Sequence, residues 1–296
     1  MANNTNSVTN IRQAENSVEV IGIVSEKDLK EEIVDGVKQI SGSVTVKTSD
    51  VNFVRFNVKA SEKKRDGSPS SIYSGLVTVM NEYKSIAEVG EENADKVRIS
   101  SSDSINLYRS KQTGNSVIGF KTNFFNRVKS SEDYEPKADF AIETYIKSIT
   151  PEVNTNGEET GRILVRGWCP TYSGIEEITL VAEGEIASAV ESTFEIGQTV
   201  EFYGEIVNNR VETVREIPVA IGKPRIERKV SYKNDMVITG ASEAYEEGGA
   251  IAPYTKEAID KALQERENKI AEEKAKSNST AATKPSAAAH GRTLGF

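Results

Sequence analysis

The chain has 296 residues, enough for about two domains, and carries 45 Asp and Glu against 37 Lys and Arg, a net charge of −8. A single cysteine (Cys169) and a single histidine (His290) exclude an intrachain disulfide and all but exclude a Cys/His zinc site. No apolar run approaches the roughly 18 residues of a membrane helix, and residues 1–6 lack the basic and apolar regions of a signal peptide, so a soluble cytoplasmic protein without membrane contact is expected.

Residues 1–16 are polar, rich in Asn, Thr and Ser, and without hydrophobic periodicity, which predicts a disordered arm. Residues 18–24 read as an apolar strand with Gly22 where a barrel strand bends, and residues 42–47 as a second β segment. Over residues 53–59, Phe53, Arg55 and Asn57 alternate with Val54, Phe56 and Val58, so one face is apolar and the other carries a ring and a charge. A turn at 63–67, a strand at 72–80, a short helix at 85–89 and a strand at 96–99 follow, and residues 117–125 close the first unit. Residues 130–137 are polar and acidic with Pro136, as suits a linker.

The same order returns after a strand at 140–146: a strand at 162–168, a turn at 170–174, a strand at 178–181, a helix at 187–194 and a glycine-bounded strand at 197–202. A last strand falls within 229–240. The chain is therefore expected to be mainly β, with two tandem five-stranded barrels over 17–130 and 138–240, each with a short helix between its third and fourth strands. Pro253 and an N-cap at Thr255 start a helix over 254–276, whose narrow stripe of Ile259, Leu263 and Ile270 leans on the second barrel or on another copy. The Ser, Thr, Ala and Pro of residues 277–296 predict a disordered tail.

Enzymatic chemistry finds little support. A Ser-His or Cys-His pair would have to use His290, in the predicted disordered tail. There is no phosphate-binding loop, no βαβ pattern, and no carboxylate pair that stands apart from an acidic surface, so neither an enzyme nor a cofactor is expected.

The acidic total argues at first against a nucleic-acid partner, but the charge is segregated. Acidic residues gather at 26–35, 132–135, 183–195 and 243–247, and basic ones at 59–65, 108–111, 121–129 and 223–229. Binding an unpaired strand needs cations for the phosphates and flat side chains for the bases. The outward positions of the 53–59 strand supply Phe53, Arg55 and Lys59, and those of the 162–168 strand supply Arg162, Arg166 and Trp168. A period of two points Trp168 away from Ile163 and Val165; the alternative is that it packs under the Pro170 turn or between the domains. In such a barrel the ligand face comprises the second and third strands and the loops joining strands one to two and four to five. That adds Lys63, Lys64 and Arg65 on a hairpin rim, Tyr108, Arg109 and Lys111 between strands four and five, and Arg210, Arg215, Lys223 and Arg225 in the matching connection of the second unit. Lys121, from the third basic cluster, and Tyr172, in the turn at 170–174, complete the set. Phe124 and Phe125 cannot both face one way, so one is core and the other a platform, and Phe125 is the one carried forward as platform.

A barrel with Arg, Phe and Trp on its second strand, then a helix and a tail ending Leu294-Gly295-Phe296, resembles phage-encoded single-stranded-DNA-binding proteins of the OB fold. Residues 197–206 and 235–240 are similar to segments of such replication proteins in phages of Gram-positive hosts, and the resemblance covers residues 140–270. It implies cooperative, sequence-tolerant coating of exposed DNA during phage replication or recombination, with Leu294 and Phe296 docking replication partners, and it allows a homo-oligomer. Family tips are acidic before the final aromatic residue, whereas residues 290–296 are weakly basic, so competition of the tail for the DNA groove is not supported. The other reading is a non-enzymatic β-rich structural or adaptor protein, such as a virion component.

Overall fold

A computed structural model describes residues 11–110, 112–129, 131, 133–217 and 221–281. β1 (Asn16–Val34) and β2 (Val37–Lys47) form a long antiparallel hairpin turned by Asp35 and Gly36, both at positive φ (51° and 76°). Asp-Gly is a pair that tolerates such a turn. β2 pairs with β3 (Phe53–Ser61), in which Val54, Phe56, Val58 and Ala60 are buried while Arg55, Asn57 and Lys59 are exposed. Helices α1 (Ser71–Glu82) and α2 (Ile86–Val89) lead to β4 (Lys96–Ser102), which returns to pair with β1.

β5 (Ile105–Arg109) forms a hairpin with β6 (Ser116–Lys121); β6 runs parallel to β3, and the short β7 (Asn126–Arg127) pairs with β4. The interrupted strand β6–β7 thus closes a ring of five, with β5 as an extra strand from the connection between the fourth and fifth.

α1 corrects the strand expected at 72–80. Its β-branched residues favour a strand, but the Ser70 hydroxyl accepts a hydrogen bond from the Tyr73 N–H, and Tyr73, Leu76 and Val79 are buried at a spacing of three. A cap and a helical stripe outweigh local β propensity.

The second half repeats the plan. β8 (Lys137–Val153), β9 (Glu159–Thr171) and β10 (Gly174–Ala182) form a meander, α3 (Gly184–Thr193) follows, and β11 (Thr199–Ile217) pairs with both β8 and β12 (Arg225–Ala241). β12 meets β10 in parallel at Val181 and Val237, which closes the ring. Each ring has a helix between its third and fourth strands, the arrangement of an OB barrel, so the expected fold class holds. The internal repeat is offset by one strand from the alignment the sequence suggests. β3 directly precedes the helices, so its counterpart is β10, and β2 is the counterpart of β9.

The rings are continuous. Residues 16–21 of β1 pair antiparallel with residues 137–142 of β8, giving one twelve-stranded sheet. Phe56 packs against Phe120 and Phe125 in the first core, and Phe202 against Phe194 in the second.

Residues 11–16, expected within the unstructured arm, are fastened down. Ile11 is buried with Ile175, Tyr254, Ile259 and Ala262, where α4 (Lys256–Ala281) crosses the second barrel. The Arg12 guanidinium forms a two-pronged ion pair with Glu143 of β8, a side chain with no exposed surface. The Tyr254 hydroxyl (3.1 Å) and the Glu15 N–H (3.0 Å) donate to the same carboxylate. The apolar Ile11 and the need of a buried carboxylate for donors order this short polar segment.

Candidate nucleic-acid interface

β11 and β12 outrun their barrel and continue as a two-stranded ribbon, paired from Asn208–Asn234 to Ile217–Arg225. Residues 208–234 hold seven Lys and Arg against three Glu, although the whole chain is acidic. One asparagine locks the base of the ribbon onto the first half. The Asn52 amide donates to the Ile206 carbonyl (2.9 Å), its side-chain oxygen accepts from the Asn208 N–H (2.7 Å), and the Arg210 N–H donates to the Val51 carbonyl (2.8 Å).

That docking sets two faces against each other. On β3, Phe53, Arg55 and Asn57 share the outward side. On the ribbon, the side that is interior at the buried pair Ile206 and Met236 continues outward as the cross-strand pairs Asn208–Asn234 and Arg210–Tyr232. A groove of about 360 Å³ lies between them, within the usual range for a ligand site, with Ile118 and Phe120 of β6 also in its lining. The β3 wall carries one ring, one guanidinium and one carboxamide, and the ribbon wall one ring, one guanidinium, two carboxamides and the carboxylate of Asp235. Arg55 and Arg210 are exposed and make no ion pair among the described residues, and Tyr232 is 68% exposed.

Other expected residues sit elsewhere. Lys59 continues the exposed face of β3, and Lys63, Lys64 and Arg65 occupy the exposed turn after it. Tyr108 is 45% exposed on β5, while Arg109 braces its own hairpin by donating to the Gly114 carbonyl (2.7 Å). Lys121 and Tyr172 line a second, smaller cavity of about 210 Å³. Lys223 and Arg225 are exposed towards the far end of the ribbon. Lys111, Leu294 and Phe296 lie outside the described residues.

Three positions depart from expectation. Phe125 is buried against Phe56, and Phe124, 54% exposed, is the outward ring of the two. Arg162 is neutralised by Asp235 (2.5 Å), Glu152 (3.2 Å) and Glu183 (3.6 Å), so its charge is spent within the protein. Arg166, by contrast, donates to the Thr150 hydroxyl (3.1 Å) and makes no ion pair among the described residues, so its charge is not neutralised. Trp168 does project outward from β9, but α4 covers it. The apolar stripe of α4 settles on Ile175, Tyr145 and Trp168, and both the Lys147 ammonium (4.6 Å from the ring centroid) and the Arg266 guanidinium (5.9 Å) lie over the indole. Arg266 is held there by Glu176 (2.9 Å).

Burial pushes the Cys169 thiol up to about 12, well outside the range of a nucleophile at neutral pH, and it donates to the Glu143 carbonyl (3.4 Å). Among the described residues no cluster of three or more His, Cys, Asp or Glu is set to hold a metal, and no helix is long and apolar enough to cross a membrane.

The family model of YorF matches residues 14–276. The chain belongs to the YorF family. The YorF match spans both barrels and most of α4. No curated protein matches the sequence. Among solved structures the chain is similar to the wild-type single-stranded DNA binding protein from Thermus aquaticus, at 10% identity and a TM-score of 0.44, over 81% of this chain and 97% of that one. It is also similar to a deletion mutant of that protein, at 10% identity and a TM-score of 0.45, over 80% of this chain and 98% of that one.

Sequence reasoning missed Tyr232, Asn208 and Asn234. Their signal was present in strand alternation: Tyr232 and Asn234 share parity with the core residues Met236 and Ile238 of β12, and Asn208 with Ile206 of β11. What the alternation does not reveal is that β12 leaves the barrel and carries this side onto β3.

Proposed function

We propose that the protein binds single-stranded DNA with little sequence preference and coats exposed strands during phage DNA replication or recombination. The observation that carries this reading is the pairing of two accessible rings, Phe53 and Tyr232, with two uncompensated guanidiniums, Arg55 and Arg210, around one groove. Bases stack on the rings, each for about 1–3 kcal/mol, and phosphates follow Arg55, Arg210 and the cationic ribbon beyond them. Lys59, Lys63, Lys64 and Arg65 extend the positive track along the first barrel. On this reading the barrels at 17–130 and 138–240 act as two domains that share one groove, and the terminal Leu294 and Phe296 dock replication partners.

Titration of labelled oligo-dT at several salt concentrations tests the proposal. Affinity should fall by about 0.7 log units per log unit of salt for each neutralised phosphate. Absence of binding even at low salt refutes it.

A structural or adaptor role is favoured by a different feature of the ribbon, whose Ile221, Ile226 and Val214 are 93%, 58% and 56% exposed. Large apolar side chains so exposed suit a protein partner. Purified protein that forms stable homo-oligomers and carries no nucleic acid would support that role instead.

A further inference from the structure

We infer that Asn57, Asn208 and Asn234 hydrogen-bond the edges of bases held in the groove, so that binding requires unpaired bases while discriminating little among them. This rests on the single-strand reading of the groove and adds to stacking and phosphate contact a polar contact with the base edges.

The three carboxamides converge on the cavity from both walls, Asn57 from β3 and the cross-strand pair Asn208 and Asn234 from the ribbon. Their side chains make no hydrogen bond among the described residues. Asn52, a few residues away, shows what a structural asparagine does here. Its amide is consumed by the Thr48 hydroxyl (2.9 Å) and the Ile206 carbonyl (2.9 Å), and its oxygen by the Asn208 N–H (2.7 Å). The groove asparagines keep their side-chain donors and acceptors available. Only their main chains are engaged, as when Asn57 accepts from the Thr122 N–H (3.2 Å).

A carboxamide presents a donor beside an acceptor. Every unpaired base also presents a donor beside an acceptor on its pairing edge, and a half-turn of the amide matches either order. Amides beside two rings therefore bind any base that is both stackable and free of its partner. A duplex has its edges occupied and is refused. Phosphate contacts alone would not make that distinction, because duplex DNA offers the denser line of charge.

The test is a fluorescence titration of the full chain with three oligonucleotides of equal length. They are oligo-dT, oligo-dA, and an oligomer of 2,4-difluorotoluene nucleotides, whose ring has the shape of thymine but pairs poorly through hydrogen bonds. Oligo-dT and oligo-dA should bind within about threefold of each other, and the isostere about tenfold or more weakly, because polar groups buried against it stay unpaired. The Asn57→Leu, Asn234→Leu double variant should weaken oligo-dT binding by about tenfold and leave the isostere unchanged. Both positions are exposed, so the cores are untouched. Equal affinity for oligo-dT and the isostere, or a double variant that binds oligo-dT normally, overturns this inference and leaves the single-strand reading standing. No binding to any of the three removes the single-strand reading itself.

Discussion

Replacing Arg12 by Ala is expected to lower the free energy of unfolding by about 3–5 kcal/mol, a large share of what holds a domain together. Glu143 lies on β8 with no exposed surface, and Arg12 is its counter-ion. Without the guanidinium a charged carboxylate stays buried with the Tyr254 hydroxyl and one backbone N–H for company. Glu143→Gln should cost less, since the amide oxygen still accepts those two bonds and Arg12, a quarter exposed, reaches water. Urea denaturation of the two variants measures the difference. A loss below about 1 kcal/mol for Arg12→Ala would mean that water reaches Glu143.

The same cluster sets an alkaline limit. Burial, and then the neighbouring Glu143 carboxylate, push the Tyr254 phenol above its ordinary value. The folded state holds its proton where the unfolded phenol, with a pKa of about 10, has lost it. The unfolded state therefore binds fewer protons there, and stability declines as pH rises above about 10.

The Phe53→Ala, Tyr232→Ala double variant should lose about 2–6 kcal/mol of binding free energy for oligo-dT if each ring stacks one base. Tyr232 is well exposed and Phe53 only half-buried, so this loss is expected without unfolding. Since neither change removes a charge, the slope of affinity against salt should remain that of the wild-type protein. Arg55→Ala should instead lower that slope by about 0.7, so that its loss of affinity is greatest at low salt and fades as salt rises. Titrations at a series of salt concentrations separate the two effects. A parallel fall of affinity and slope in the ring variant would show that the rings serve only to position the cations.

Much of the fold was legible because inward and outward residues alternate so regularly. Val54, Phe56 and Val58 against Arg55, Asn57 and Lys59 told strand and face alike, and the repeat of strands around a helix told the barrels. Residues 72–80 misled because β-branched side chains compete with a cap at Ser70 that only the folded geometry makes decisive. Trp168 was placed on the correct face of β9, yet which outward face stays open depends on where a distant helix lands. The stripe of α4 finds its apolar partner in Ile175 and takes Trp168 with it. The groove was half legible: Phe53 and Arg55 follow from the alternation of residues 53–59, and Arg210 from its place in the connection between the fourth and fifth strands of the second unit. Tyr232 and the asparagines needed the long-range contact of Asn52 with the ribbon, which no periodicity encodes.

The most direct test of the groove is photocrosslinking of the full chain to an oligo-dT bearing 5-iodouracil, with the adducts mapped to residues by mass spectrometry. Adducts at Phe53 and Tyr232 are the predicted outcome. Adducts confined to Trp168 and Tyr172, or to the 63–65 turn, would contradict it.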